Sequence, residues 1–180
     1  FSIRLLLAYL YARHLCQTAQ PVERQLISLV QRMANRMNVN KNFRTMATSR
    51  TDSPAVIGWI KPVVLLPTSI ILSMTPEQLE AVLAHELAHL RRNDYIVNLL
   101  QSFMEVVLFY HPAVWWVSGQ IRKERELSCD DLAVSYSNGA VSFARALTQI
   151  EKTRLHGPQL AMGMSGYSLT FRIHRLLRQK

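Results

Sequence analysis

Residues 81–94 read "AVLAHELAHLRRND", and the meaning of their two histidines decides the fold. The four residues Thr75-Pro76-Glu77-Gln78 form a helix start: a threonine N-cap, a proline at the first helical position and a glutamine completing a capping box. Leu79, Val82, Leu83, Leu87 and Leu90 then recur as one apolar stripe, and Arg91 and Arg92 lie where cations favour a helix C-terminus. On such a helix His85 and His89 stand one turn apart on one face, the spacing at which two imidazoles can share a metal ion. Glu86 is rotated from His85 by about 100°. That sets a carboxylate beside the open position of the metal, where a general base acts on water. The same pattern arises by chance in ordinary helices, so the reading turns on a third ligand.

"ERELSCDD" (residues 124–131) is the outstanding source of one. Glu126 and Asp130 are i, i+4 and share a helical face. Glu126 is favoured as the third ligand of a Zn2+ ion, with Asp130 accepting a hydrogen bond from a ligand imidazole and so fixing its tautomer. Gly119, on the same face as Glu126, is expected to permit close helix–helix approach. Glu105 competes for the ligand role, but a polar stripe of Asn98, Gln101 and Ser102 already accounts for it, and Phe109 stands where a second acid would be needed. Glu124 and Asp131 point elsewhere and are expected to pair with basic residues. Asp94 is expected to cap the following helix, because continuing the helix five residues from His89 turns it about 140° off that ligand's face.

Around this core the chain reads as α+β. Apolar spacing from Val22 to Met37 is helical. Three short runs, Phe43–Ser49, Pro54–Gly58 and Pro62–Pro67, are bounded by turn residues and read as short antiparallel strands. Tyr95–Val117 looks superficially like a membrane span, but its polar stripe and Pro112 argue for a partly buried amphipathic helix ending near Tyr110, with Ile96, Leu99, Leu100, Phe103 and Val107 on its other side. Further helices are expected from Pro112 to the Asn138-Gly139 stop, over Val141–Lys152, and over the basic tail from Leu169. Trp115 and Trp116 are expected in the core or a helix contact, and Cys129 as a small buried filler.

The 180 residues suit one domain with a real core, and 49% apolar against 18% charged residues excludes a disordered chain. Two distant cysteines, Cys16 and Cys129, argue against a disulfide framework or a cysteine-based metal site. The net charge of +9 suits a face near an anionic membrane; without basic–aromatic interleaving, direct nucleic-acid binding is not expected. The opening "FSIRLLLAYLYARHLC" has no initiator methionine, as expected of an excised fragment. Its apolar run is too short to span a bilayer, so it is either the end of a membrane helix or an ordinary amphipathic one.

Three blocks, "SPAVIGWIKPVVLLP", "LEAVLAHELAHLRRNDYIVNLL" and "FYHPAVWWVSGQIRKERELSCDDLAV", occur in order and spacing that resemble the bacterial membrane metallopeptidases of the BlaR/MecR type, the beta-lactam sensor-transducers and their relatives. The resemblance covers roughly residues 39–136. It implies a gluzincin fold: a small antiparallel sheet packed on the His-Glu-x-x-His helix, and a second helix carrying the glutamate ligand. It also implies His85, His89 and Glu126 as zinc ligands, Glu86 as base and Asp130 as supporting acid. Residues 1–20 would then be a membrane-proximal helix, the truncated end of a transmembrane segment. Residues 21–180 would be a metallopeptidase domain on the cytoplasmic side of the bacterial inner membrane, cleaving a repressor-like protein or itself and compatible with a homodimer. A further likeness to prenyl-protein and heat-shock membrane proteases implies that Ala55, Val56, Ile57 and Gly58 form the edge strand that holds substrate by β-augmentation. For the oxyanion partner, Tyr95, His111, Tyr136, His156, Tyr167 and Arg172 remain open, with a structural role favoured for His111.

Overall fold

The computed structural model describes residues 2–58, 61–155 and 165–178. Its elements run α1 (Ser2–Thr18), β1 (Gln20–Pro21), α2 (Arg24–Arg36), β2 (Arg44–Thr48), β3 (Ala55–Ile57), β4 (Val63–Pro67), α3 (Thr68–Ser73), α4 (Pro76–Arg92), α5 (Asp94–Val107), α6 (Pro112–Tyr136), α7 (Ala140–Leu155) and α8 (Ser165–Arg178). The α+β class stands, with the His-Glu-x-x-His motif on α4 and the distal glutamate on α6.

The sheet is mixed rather than wholly antiparallel. Its order is β1-β2-β4-β3, with β2 parallel to β4 and both outer pairs antiparallel. The reason is burial. Val64, Leu65 and Leu66 are fully buried and claim an inner position, leaving the half-exposed β3 at the edge. Gly58 makes the turn out of β3 possible: its φ is +92°, and a Cβ there would stand 3.3 Å from the Lys61 carbonyl oxygen.

Helix α4 is the axis of the domain. The Thr75–Gln78 capping box forms as expected, and the helix is then enclosed by α2, α6, α7 and β3. Leu83 and Leu87 join Val30, Met37, Ile70 and Phe143 in the central core. Ala84 and Ala88, fully buried beside the histidines, are small enough to let neighbouring elements close in.

Helix α5 is amphipathic as expected, and it is the polar residues Gln101 and Glu105 that are buried, whereas Leu99, Leu100 and Phe103 are exposed. Neither Trp115 nor Trp116, at 40% and 68% exposure, lies in the core; Trp115 donates its indole N–H to the Phe109 carbonyl at 2.9 Å, and Trp116 is turned mostly outward. Among the described residues nothing stands within 4 Å of where a Cβ at Gly119 would lie, so the glycine is not needed there for a close helix approach. Among the described residues, no helix is long and apolar enough to cross a membrane.

Candidate metal centre

The two ligand-bearing helices bring His85, His89 and Glu126 to one point. Their Nε2 atoms are 3.2 Å apart, and the Glu126 carboxylate lies 3.6 Å from His85 Nε2 and 3.8 Å from His89 Nε2. Ligands about 2.1 Å from a tetrahedral zinc stand roughly 3.4 Å from one another, so the triangle has the size such an ion requires. The donor chemistry fits as well. Two imidazole nitrogens facing each other beside a carboxylate need a positive charge between them. Glu86 is buried and lines the same cleft.

Each histidine has its own carboxylate behind it. Asp130 lies 3.0 Å from His85 Nδ1, slightly off the line of an ideal hydrogen bond, and is wholly buried. His89 Nδ1 donates to Asp94 Oδ2 at 2.7 Å. A carboxylate beside each Nδ1 favours the proton there, which leaves the Nε2 lone pairs for a metal.

The role of Asp94 corrects the sequence reading. Helix α4 does not continue: Asn93 adopts the left-handed conformation (φ 59°, ψ 35°) and turns the chain back, so Asp94 begins α5 with its carboxylate against His89. Asn93 itself makes no side-chain cap for α5. The one sequence signal is Asn93, a residue that tolerates this conformation, next to an acid. Cys129 is buried as expected, but it also donates its thiol to Asp94 Oδ2 at 3.3 Å. Burial and the Asp94 charge push its pKa up, so it stays a thiol and the cluster His89–Asp94–Cys129 supports the histidine.

Arg172 on α8 closes the far side. Its guanidinium grips Asp130 through two hydrogen bonds of 2.7 and 2.6 Å and approaches Glu126 at 3.8 Å. Arg175, one turn on, grips Asp131 in the same two-pronged way. Two of the tail arginines are thus spent on the acids of α6. Burial favours the neutral Asp130, but His85 and Arg172 outweigh it and hold its pKa down. Burial likewise opposes charge on Glu126, yet His85, His89 and Arg172 draw its pKa down to about 2. For His85, burial lowers the pKa, while hydrogen bonding to Asp130 and Glu126 and the charge of Glu86 push it up to about 9.

The competing acid Glu105 is not at the site; it pairs with Arg122. His111 accepts from Ala113 N at 3.2 Å at the start of α6, the structural role expected. Tyr136 is bound by Arg91. His156 and the Tyr167 side chain lie outside the described residues. Of the described oxyanion candidates, Tyr95 and Arg172 line the cleft, which encloses about 740 Å³ and is bordered on one side by Ala55, Val56 and Gly58 of β3 and its turn.

Residues 1–174 match the family model described as BlaR1 peptidase M56. The chain belongs to that family. It is 28% identical over 107 residues to the regulatory protein BlaR1 of Bacillus licheniformis, covering 59% of this chain and 18% of that protein. It is 28% identical over 90 residues to the methicillin resistance mecR1 protein of Staphylococcus aureus, covering 50% of this chain and 15% of that one. A shorter likeness, 46% over 64 residues, links 36% of the chain to 19% of the protease HtpX homolog 2 of Methanosarcina acetivorans. The matched segment therefore spans under a fifth of each of these relatives. Family and donor set together make this BlaR1-type chain a zinc-dependent metallopeptidase domain.

Proposed function

We propose that this chain is the endopeptidase domain of a bacterial membrane signalling protein and hydrolyses peptide bonds in a cytoplasmic, repressor-like protein or in itself. The observation that carries the reading is the triangle of His85, His89 and Glu126, each imidazole backed by a buried carboxylate. In this reading those three residues hold the ion, and Asp130 and Asp94 hold the rings in register. Zinc bound there supplies Lewis acidity toward a peptide carbonyl and acidifies water.

Glu86 takes the proton of the attacking water and returns it to the leaving amine, so that one carboxylate serves both halves of the reaction. Arg172 keeps Asp130 ionised and in place. An extended substrate pairs with the free edge of β3, its backbone N–H and C=O groups continuing the sheet across the cleft. That role is supported by the edge position of β3 and by its place on the cleft wall. The flanking membrane anchor over residues 1–20, the cytoplasmic orientation and a homodimeric assembly belong to the same reading.

The likeness to the HtpX homolog favours one alternative, a protease of general membrane-protein quality control. Cleavage of unfolded membrane proteins without preference for one partner would select it.

Metal content tests the ligand set. Wild type should carry one zinc and Glu126→Ala far less; equal zinc in both removes Glu126 from the set. Glu86→Ala should keep its zinc and lose cleavage by about 10²–10⁴-fold, and retained cleavage removes Glu86 as the base.

A further inference from the structure

Helices α5 and α6 form a hairpin built inside out. Where they meet, the groups are polar: Gln101 Nε2 donates to the Ser118 carbonyl at 3.1 Å, and Arg122 pairs with Glu105. The outer surface is apolar, with Leu100, Phe103, Phe109, Tyr110 and Trp116 all at least 60% exposed. In water the hydrophobic effect favours the opposite arrangement. A hairpin that gathers its polar groups on the inner side and turns its apolar side outward is the form suited to lipid.

Charge points to the same partner. Between Tyr95 and Ile121 the only charged side chain is Glu105, and it is buried and paired, so insertion of the hairpin drags no bare charge into the acyl region. Basic residues sit at the base of both arms, Arg91 and Arg92 before α5 and Arg122 and Lys123 where the apolar part of α6 ends. Tyr110, Trp115 and Trp116, at and beside the tip, supply large exposed aromatic surface that gains by leaving water.

We propose that the α5–α6 hairpin docks the domain onto an anionic phospholipid bilayer by inserting its tip into one leaflet. With 14 residues, α5 is about 21 Å long, enough to enter a leaflet and too short to cross a hydrocarbon core of about 30 Å. The chain turns back between Val107 and Pro112, and the basic residues at the base meet the phosphates. Tyr95 and Ile96, at the root of α5, also line the zinc cleft. Docking thus holds the cleft at the level of the headgroups, about one helix length from the inserted tip, and favours substrates whose cleaved segment lies near the membrane. The inference stands on exposure and charge, not on the zinc assignment, and its test reads no cleavage.

The test uses the 180-residue chain in a Trp59→Phe background, so that only Trp115 and Trp116 emit. Vesicles of phosphatidylcholine and phosphatidylglycerol should float the protein, blue-shift its emission and, when brominated along the acyl chains, quench it. Phosphatidylcholine alone should bind more weakly. Phe103→Glu and Trp116→Glu, both at exposed positions, should each weaken flotation by about tenfold or more, with helix content checked by circular dichroism. Unchanged emission on vesicles overturns the proposal. An emission shift that follows protein concentration, without quenching by brominated lipid, assigns the face to a second copy of the chain and overturns it equally. The quenching result on the parent chain decides the matter even if a glutamate variant misfolds.

Discussion

Helices α4 and α5 are consecutive, joined by the single left-handed residue Asn93, and both bury polar side chains, yet the burial means different things. On α4, His85, Glu86 and His89 converge with Glu126, leaving two imidazole nitrogens directed at one point. On α5, Gln101 and Glu105 are each paired off with a single group of α6. Buried polarity alone does not make a site. A site needs several donors converging where no protein group completes them, whereas each link along this seam joins just two groups, Gln101 Nε2 with the Ser118 carbonyl and Glu105 with Arg122.

The contrast can be broken most forcefully at Asp130. Asp130→Ala leaves Arg172 and His85 without their buried partner and should cost about 3–5 kcal/mol in the zinc-free protein, read by urea unfolding. A loss no greater than that of a surface substitution would put Asp130 outside the centre.

Next is pH. The folded pKa of His85, about 9, exceeds the ordinary 6.5, so its charged form stabilises the zinc-free fold fully below pH 6.5 and loses that contribution as pH rises through 9. Zinc must displace this proton. Affinity should therefore climb about tenfold per pH unit from 7 and level off near 9, measured by competition with a chelator. A flat profile across that range would show that no proton is displaced.

Asp94→Ala should lower zinc affinity by about 10–100-fold, as loss of a carboxylate behind a ligand histidine does. Gln101→Ala should leave zinc affinity untouched and cost about 1 kcal/mol of stability. If the two variants behave alike in a zinc titration, the distinction between a convergent centre and a paired seam fails. Smallest of all, Gly119→Ala in open space should stabilise α6 by about 0.5–1 kcal/mol, seen as a small rise in melting temperature. Destabilisation would mean that Gly119 makes a close contact after all.

The legible parts of the molecule were those governed by local rules. The capping box at Thr75, the helical spacing of His85 and His89, and the i, i+4 placement of Glu126 and Asp130 depend only on helix geometry, and each is found where the residues indicate. The direction of Asp94 is not legible from helical spacing, which holds only along an unbroken helix, because the left-handed Asn93 reverses the chain just before it. The parallel pairing of β2 with β4 was hidden because short strands carry no record of their neighbours; relative burial decided which became central.

The sequence by itself determined the chemistry on offer: two imidazoles one turn apart, a carboxylate beside them, and a second helix with a pair of acids. Tertiary structure alone decided that Arg172, more than forty residues beyond Glu126, locks Asp130, that Cys129 and Asp94 stand behind His89, and that α5 turns its apolar side outward. The physical reason is that periodicity fixes which side chains share a face, while the direction of that face depends on what packs against it, and those partners come from distant parts of the chain.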